Sequence, residues 1–415
     1  MSLLVPNGLE FEGPTLADTE ESRHRRKQGL PMTQALIDHK HLYSLQGPWT
    51  TIYVDGSTGT VDSLRSDDVL PRNVADSMEA AGAPKNDIAA AAATLSSTAK
   101  GMPDPLARFL LIHGGEAVVD EFLPGGMVMM PVTAVASVPD LSPLVRHCPE
   151  DFAYVIAEVG HGGGEVYLRY ADGDSSRPTG GTPESHIDGD MEHSRKVQGG
   201  GWSHRRYQQH AEKVWKMNAG DVAAEIDRVA RDHRAQLVVV AGDIRARQLV
   251  ADQVSEETRR KLSIIESNTR AAGADEKTFA LQVQELVARV MANRQRMLLE
   301  TLAEHEGQAT RTTAVGTGPV VTALQQGQVD TLLLETPSLD GQTVLALDAA
   351  PWVALSEADA AGAGVIGKVP ALAGMLRAVA LTDAKVSLYP SGALGSRSIA
   401  ALLRWPTGPD VPAAV

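Results

Sequence analysis

The sequence predicts an α/β protein of three domains, with mixed α+β character in the N-terminal one. Short apolar runs bounded by glycines alternate with stretches of helical spacing, the order expected of sheet and helix layers. One run, QLVVVAG at residues 236–242, is wholly apolar, as in a strand covered on both faces of a parallel sheet. The chain has 415 residues, 43% of them hydrophobic, which suffices for two or three cores. The expected divisions are 1–148, 149–274 and 275–415.

In the first of these, PWTTIYVDGSTG reads as a strand running into a turn. ARFLLIHGGEAVVDEFL reads as two strands joined at Gly114–Gly115. NDIAAAAATLSSTAKG, between them, holds helix formers ended by glycine, with Asn86 or Asp87 as the natural N-cap. The second division opens with DFAYVIAEVGHGGGEVYLRY, two β-rich runs around glycines. ADGDSSRPTGGTPESHIDGDMEHSRK is polar and rich in Gly and Pro, and is expected to be a loop without regular structure. RRYQQHAEKVWKM and AGDVAAEIDRVARDH read as two successive helices, with Asp221 near the start of the second.

The third division begins with a helix, KTFALQVQELVARVMANRQRMLLETLAEHEG, whose Leu, Val and Met recur at helical spacing up to Gly307. PVVTALQQG then gives a helix with Pro319 in its first turn and Gly327 past its end. VDTLLLE gives a strand. AKVSLYPSGALGSRSIAALLRW gives a strand, a glycine-containing turn and a closing helix or strand.

Composition narrows the function. The single cysteine, Cys148, excludes an internal disulfide framework and a thiolate metal cluster. No apolar run approaches the ~20 residues needed to cross a bilayer, and no signal peptide is evident, so no membrane contact is expected and the cytoplasm is the default address. A net charge of −14 argues against a surface that coats nucleic acid throughout. Positive charge is instead local. From Asp190 to Lys216 the bases Arg195, Lys196, Arg205, Arg206, Lys213 and Lys216 outnumber Asp190, Glu192 and Glu212. A second basic cluster runs from Arg23 to Lys27.

The first cluster surrounds KVQGGGWSHRRYQQH, in which a glycine tip meets an aromatic and two arginines. With PDLSPLVRHCPEDFAYVIAEVGHGGGEVYL, QLVVVAGD, PVVTALQQGQVDTLLLE and SIAALLRW in order around it, this stretch resembles the release factor family of archaea and eukaryotes. That family also contains Pelota. The resemblance covers about Leu141 to Trp405 and is greatest to the bacterial branch of Balon-type ribosome hibernation factors found in actinobacteria. It implies release-factor/Pelota-like middle and C-terminal domains, and a middle domain whose loop reaches the peptidyl-transferase centre. The family's lysine, GGQ tripeptide, serine, and arginine followed by an aromatic fall here on Lys196, Gly200-Gly201-Trp202, Ser203 and Arg206-Tyr207.

The departure is at the glutamine, which in the family helps place a water against the ester of peptidyl-tRNA. An indole has one N–H donor and no acceptor, so Trp202 lacks the carboxamide's chemistry. Its ring suits stacking on an unpaired base, commonly worth about 1–3 kcal/mol. The expectation is a plug rather than an enzyme, in which Arg195, Lys196, Gly199, Gly200, Gly201, Trp202, Ser203, His204, Arg205 and Arg206 meet RNA. The partners implied are the 23S and 16S rRNA of the ribosomal A site, with elongation factor Tu as a possible delivery partner. The N-terminal division lacks an NIKS-like tetrapeptide, which implies a domain on the decoding-centre side that reads no stop codon.

Two rival readings remain open. A codon-independent peptidyl-tRNA hydrolase would use Gln198, beside the glycines, or Gln208. A metal-dependent hydrolase would use His186, Asp188, Asp190 and His193, although a polar loop offers little to fix ligand geometry. No cofactor is expected. Gly162–Gly164 is better read as a hairpin tip than as a phosphate loop, and neither it nor Gly367-Lys368 precedes the Lys and Ser/Thr of a P-loop helix.

Overall fold

The computed structural model describes residues 36–57, 61–96, 105–147, 152–171, 183–188, 202–266, 276–308 and 312–406. The architecture is mixed α/β, with four sheets among the described residues. The first has the order β3-β2-β1-β4, from β1 (Trp49–Asp55), β2 (Leu106–His113), β3 (Glu116–Pro124) and β4 (Val132–Ala136), antiparallel throughout. Alternation along β1 sends Ile52 and Val54 toward helices α1 (Val61–Ala80) and α2 (Lys85–Leu95), where Val74, Met78, Ala91 and Leu95 meet them. Pro84 holds the N-cap position of α2 rather than Asn86 or Asp87. Asp87 is fully buried and accepts a hydrogen bond from the Gly115 N–H at 2.7 Å, so it ties the helix to the β2–β3 turn instead of capping it.

The opposite face of that sheet is not solvent. Trp49, Tyr53, Phe109 and Leu111 share one core with Val320, Leu324, Leu332, Leu372, Leu376 and Val379 from the C-terminal part of the chain. Two ion pairs flank this seam: Arg146 with Asp340 at 2.6 Å and Lys40 with Asp383 at 2.7 Å. Arg146 belongs to α3 (Ser142–His147).

The middle sheet has the order β7-β6-β5-β8-β9. β5 (Ala153–Gly160) and β6 (Gly163–Tyr170) form a hairpin through His161 and Gly162, as the glycines predicted. β8 (Leu237–Gly242) is buried along its whole length and runs parallel to both β5 and β9 (Leu262–Ile264). Two sequence expectations need correction here. The polar stretch after Tyr170 contains a strand, β7 (Ser185–Asp188), paired antiparallel to β6. And the two helices expected after the glycine tip are one, α4 (Trp202–Asp232), with Asp221 in its interior. Gly220 does not break it, because it lies where the helix passes Gln253, whose Oε1 is 3.1 Å from the position of an added Cβ.

α4 and α5 (Ile244–Gln253) cover one face of this sheet through Val222, Ile226, Val229 and Val250. α7 (Glu276–Glu306), after the short α6 (Glu256–Arg260), covers the other with Phe279, Val283 and Val287. The last turns of α7 pack elsewhere. Leu298, Leu299 and Leu302 meet Leu333, Tyr389 and Leu402, so this helix spans the middle and C-terminal sheets.

The C-terminal part holds two sheets. One, in the order β10-β16-β11-β15, comprises β10 (Thr313–Val315), β11 (Val329–Glu335), β15 (Lys385–Tyr389) and β16 (Ile399–Leu403). The closing segment is therefore a strand. The other, β13-β12-β14, comprises β12 (Thr343–Leu347), β13 (Val353–Ala354) and β14 (Val365–Pro370). Gly367-Lys368 lies within β14, in no phosphate-loop geometry. α8 (Thr317–Gln325) carries Pro319 in its first turn, and Gly327 follows its end with φ of +65°, as expected. α9 (Ala371–Leu381) was not anticipated. It is buried on nearly every side at the seam with the N-terminal sheet.

Candidate functional site

The site sought is the segment that leads into α4. Arg195, Lys196, Gln198, Gly199, Gly200 and Gly201 lie outside the described residues, as does the basic run Arg23–Lys27. Trp202 opens α4, and Ser203, His204, Arg205 and Arg206 follow within its first turns, with Gln208 further along. No acidic residue stands in the first turn of this helix. That composition reverses the usual preference, since carboxylates are favoured near the positive end of the helix dipole and cations oppose it. A helix amino end and two arginines in the first turns together favour an anion, as phosphate does at helix N-termini. Like charges placed there cost the helix about 0.3–1 kcal/mol each.

The helix is rooted where its burial begins. Glu212 through Met217 are exposed or half-buried, whereas Asn218, Ala219, Val222 and Ala223 are buried. The root sits over the carboxyl ends of β5 and β8. There the chain leaves β8 through Gly242, with φ of +113°, and an added Cβ would lie 2.1 Å from the Val159 carbonyl oxygen. Only glycine fits so close an approach. Asp243 then caps α5, its Oδ1 accepting from the N–H groups of Arg245 at 2.9 Å and Ala246 at 3.1 Å.

Further along, α4 is tied to the new strand β7. The Ser185 hydroxyl donates to Glu225, and Arg228 holds the same carboxylate from one turn away at 2.6 Å. The Arg228 hydrogen bonds, with help from Ser185, hold Glu225 below the usual carboxylate range against the opposing effect of burial.

Of the residues considered for metal, His186 and Asp188 lie on β7, while Asp190 and His193 fall outside the described residues. His186 approaches Glu165 at 3.2 Å through Nδ1 and Asp188 at 3.0 Å through Nε2. Glu165 in turn accepts from the Tyr167 hydroxyl at 2.7 Å. Among the described residues no group of three or more His, Cys, Asp or Glu side chains is disposed to hold a metal ion. The ring nitrogens of His186 face two carboxylates of the sheet, Glu165 on the paired strand and Asp188 two residues on in its own. Also among the described residues, no helix is long and apolar enough to cross a membrane.

Neither Trp215 nor His161 stands out as a candidate in the sequence. The structure stacks the two rings, with centroids 4.1 Å apart and planes 22° from parallel. The residues come from different elements, so no local pattern pointed to the pair.

Residues 153–308 match the bacterial archaeo-eukaryotic release factor family 2, a span that runs from β5 to just past α7. Over 300 residues the chain is 25% identical to two uncharacterized proteins of Mycobacterium tuberculosis, Rv2629 of strain H37Rv and MT2704 of strain CDC 1551. The alignment covers 71% of this chain and 76% of each relative. Among solved structures, a model of ribosome-bound archaeal Pelota and ABCE1 is similar over 92% of this chain and 96% of its own, at 13% identity and a TM-score of 0.41. An archaeal translation termination factor, aRF1, is similar over 90% of this chain and 97% of its own, at 15% identity and a TM-score of 0.25.

Proposed function

We propose a function from one premise, that the chain is a bacterial release-factor/Pelota-like protein with a ribosome-associated role. In this reading it occupies the ribosomal A site, with α4 and the glycine segment before it directed toward the peptidyl-transferase centre. It acts by occupancy, blocking tRNA entry during dormancy or stress, and catalyses no hydrolysis. Its contacts are with 23S and 16S rRNA, its address is the cytoplasm, and elongation factor Tu is a candidate for delivery.

The observation that carries this reading is the start of α4. Within the family-matched span, a 31-residue helix begins at Trp202, directly after three glycines, and its first turns hold Arg205 and Arg206 with no acid in the first. Glycines permit close approach to RNA, the helix end and arginines attract phosphate, and an indole suits stacking on a splayed base. What the position lacks is a carboxamide: the Trp202 indole offers one N–H donor and no acceptor, so it cannot orient an attacking water as a group that both donates and accepts does. The test is tRNA binding to vacant A sites. Stoichiometric protein should suppress it, and Arg205→Ala with Arg206→Ala should restore much of it, most clearly at raised salt where phosphate contacts weaken. Undiminished tRNA binding at stoichiometric excess would refute occupancy.

A further inference from the structure

The start of α4 lies far from its root. Residues 202–217 precede Asn218, where burial sets in after the exposed or half-buried Glu212–Met217; at 1.5 Å per residue they make about 24 Å of helix. An arm of that length amplifies any looseness where it is held, so a pivot of about 10° at the root moves the end by about 4 Å. Something at the root must therefore oppose rotation if the end is to arrive in one place.

The structure places a closed ring of contacts there. Trp215 and Asn218 stand three residues apart on α4 and so share a face. Both grip His161 in the β5–β6 turn. The indole stacks on its ring, with centroids 4.1 Å apart, and the Asn218 amide donates to its carbonyl oxygen at 3.0 Å. His161 Nε2 lies 3.3 Å from Asp243 Oδ1, the carboxylate that caps α5. Two residues on, Arg245 returns to α4 and sets its guanidinium 5.7 Å from the centre of the Trp215 ring. The circuit thus runs from helix to turn to the β8–α5 junction and back to helix.

The state of His161 is constrained by the same ring. Its Nδ1 is buried without a hydrogen-bond partner. A hydrogen on Nε2 points to Asp243, whereas a hydrogen on Nδ1 would have no acceptor. Gln253 adds a lateral tie, donating to the Lys216 carbonyl oxygen at 3.0 Å.

We infer that Trp215, His161, Asp243 and Arg245 are positioning residues that fix the direction in which the exposed part of α4 leaves the middle sheet. The consequence for ribosome binding rests on the function proposed above; the bracing itself does not. Four features support it. The contacts sit at the transition from exposed to buried helix, they come from three separate elements, they combine stacking, hydrogen-bonding and cation–π components, and they close on themselves. The rest of the helix needs no such help, since from Ala219 onward it is held by the apolar core.

The test measures direction without a ribosome. In the full-length chain carrying Cys148→Ser, spin labels at Gln209→Cys on the arm and Glu256→Cys on the exposed side of α6 report the arm-to-body distance by pulsed electron resonance. With the ring intact the distance distribution should be narrow. Trp215→Ala should roughly double its width, His161→Ala should do nearly the same, and Trp215→Phe, which keeps a stacking ring, should stay close to the parent. Circular dichroism and the thermal midpoint establish that each variant is folded. Unchanged widths in folded Trp215→Ala and His161→Ala proteins would overturn the inference. Failure of the parent protein to bind ribosomes would instead strike only the proposed function, and the two results are independent.

Discussion

The N-terminal sheet and the C-terminal sheets meet across one shared apolar core, whereas α4 leaves the middle sheet along a stretch, Glu212–Met217, that is exposed or half-buried. The difference lies in how position is held. At the seam it is held by volume: Trp49, Phe109, Leu332 and Leu376 interlock, and no single polar contact decides the geometry. At the root of α4 it is held by a few directional contacts around His161 and Asp243. A seat built the first way is rigid and tolerant of polar change. An arm held the second way is sensitive to individual side chains and insensitive to bulk stability.

That contrast is sharpest under mutation. Phe109 is fully buried in the shared core, and Phe109→Ala should cost about 3–5 kcal/mol in denaturant unfolding. A loss below about 1 kcal/mol would mean that the seam is not a continuous core. In the middle sheet, Gly242→Ala meets both a backbone clash and an unfavourable φ, and should cost about 1–3 kcal/mol or more by the same measurement.

Polar changes at the seam should run the other way. Burial pushes Asp140 above the usual carboxylate range, against the lowering effects of the Ser142 hydrogen bonds and Arg146. Between the ordinary value and the raised one, the folded protein binds more protons than the unfolded chain, so this group subtracts stability as pH rises through that window. Asp140→Asn keeps an acceptor for the Ser142 N–H, now 2.8 Å from Oδ1, and removes the charge. The variant should therefore melt a few degrees above the parent at neutral pH and lose that advantage in acid. The smallest effect belongs to Glu225. Its carboxylate is held low by Arg228 and Ser185, so its contribution is present above the ordinary carboxylate range and is lost as pH falls through the depressed value. Glu225→Gln should cost less than about 1 kcal/mol at neutral pH and nothing at strongly acid pH.

How much of this was legible in the sequence follows the same division. Runs whose character is local were readable: the alternation of β1, the continuous apolar stretch of β8, the glycine turns of the β2–β3 and β5–β6 hairpins, and Pro319 and Gly327 around α8. Misreadings occurred where distant contacts override local signals. Asn218 and Gly220 suggest a helix break, yet the Asn218 amide is satisfied by His161 and Gly220 gives room to Gln253. β7 is polar because it is an edge strand whose Ser185 and His186 find partners on α4 and β6. The shared core and the ring at the root of α4 join residues far apart in the chain, and no periodicity reveals such pairs. At the candidate site the sequence showed which residue types cluster, and the structure added that those from Trp202 onward open a single 31-residue helix.

The central claim, that the protein occupies an empty A site, is tested most directly by co-sedimentation with intact ribosomes whose A site is vacant or filled with tRNA. Binding to vacant ribosomes, abolished by tRNA in the A site, is the result expected. Equal binding to both, or none to either at low salt, would contradict it.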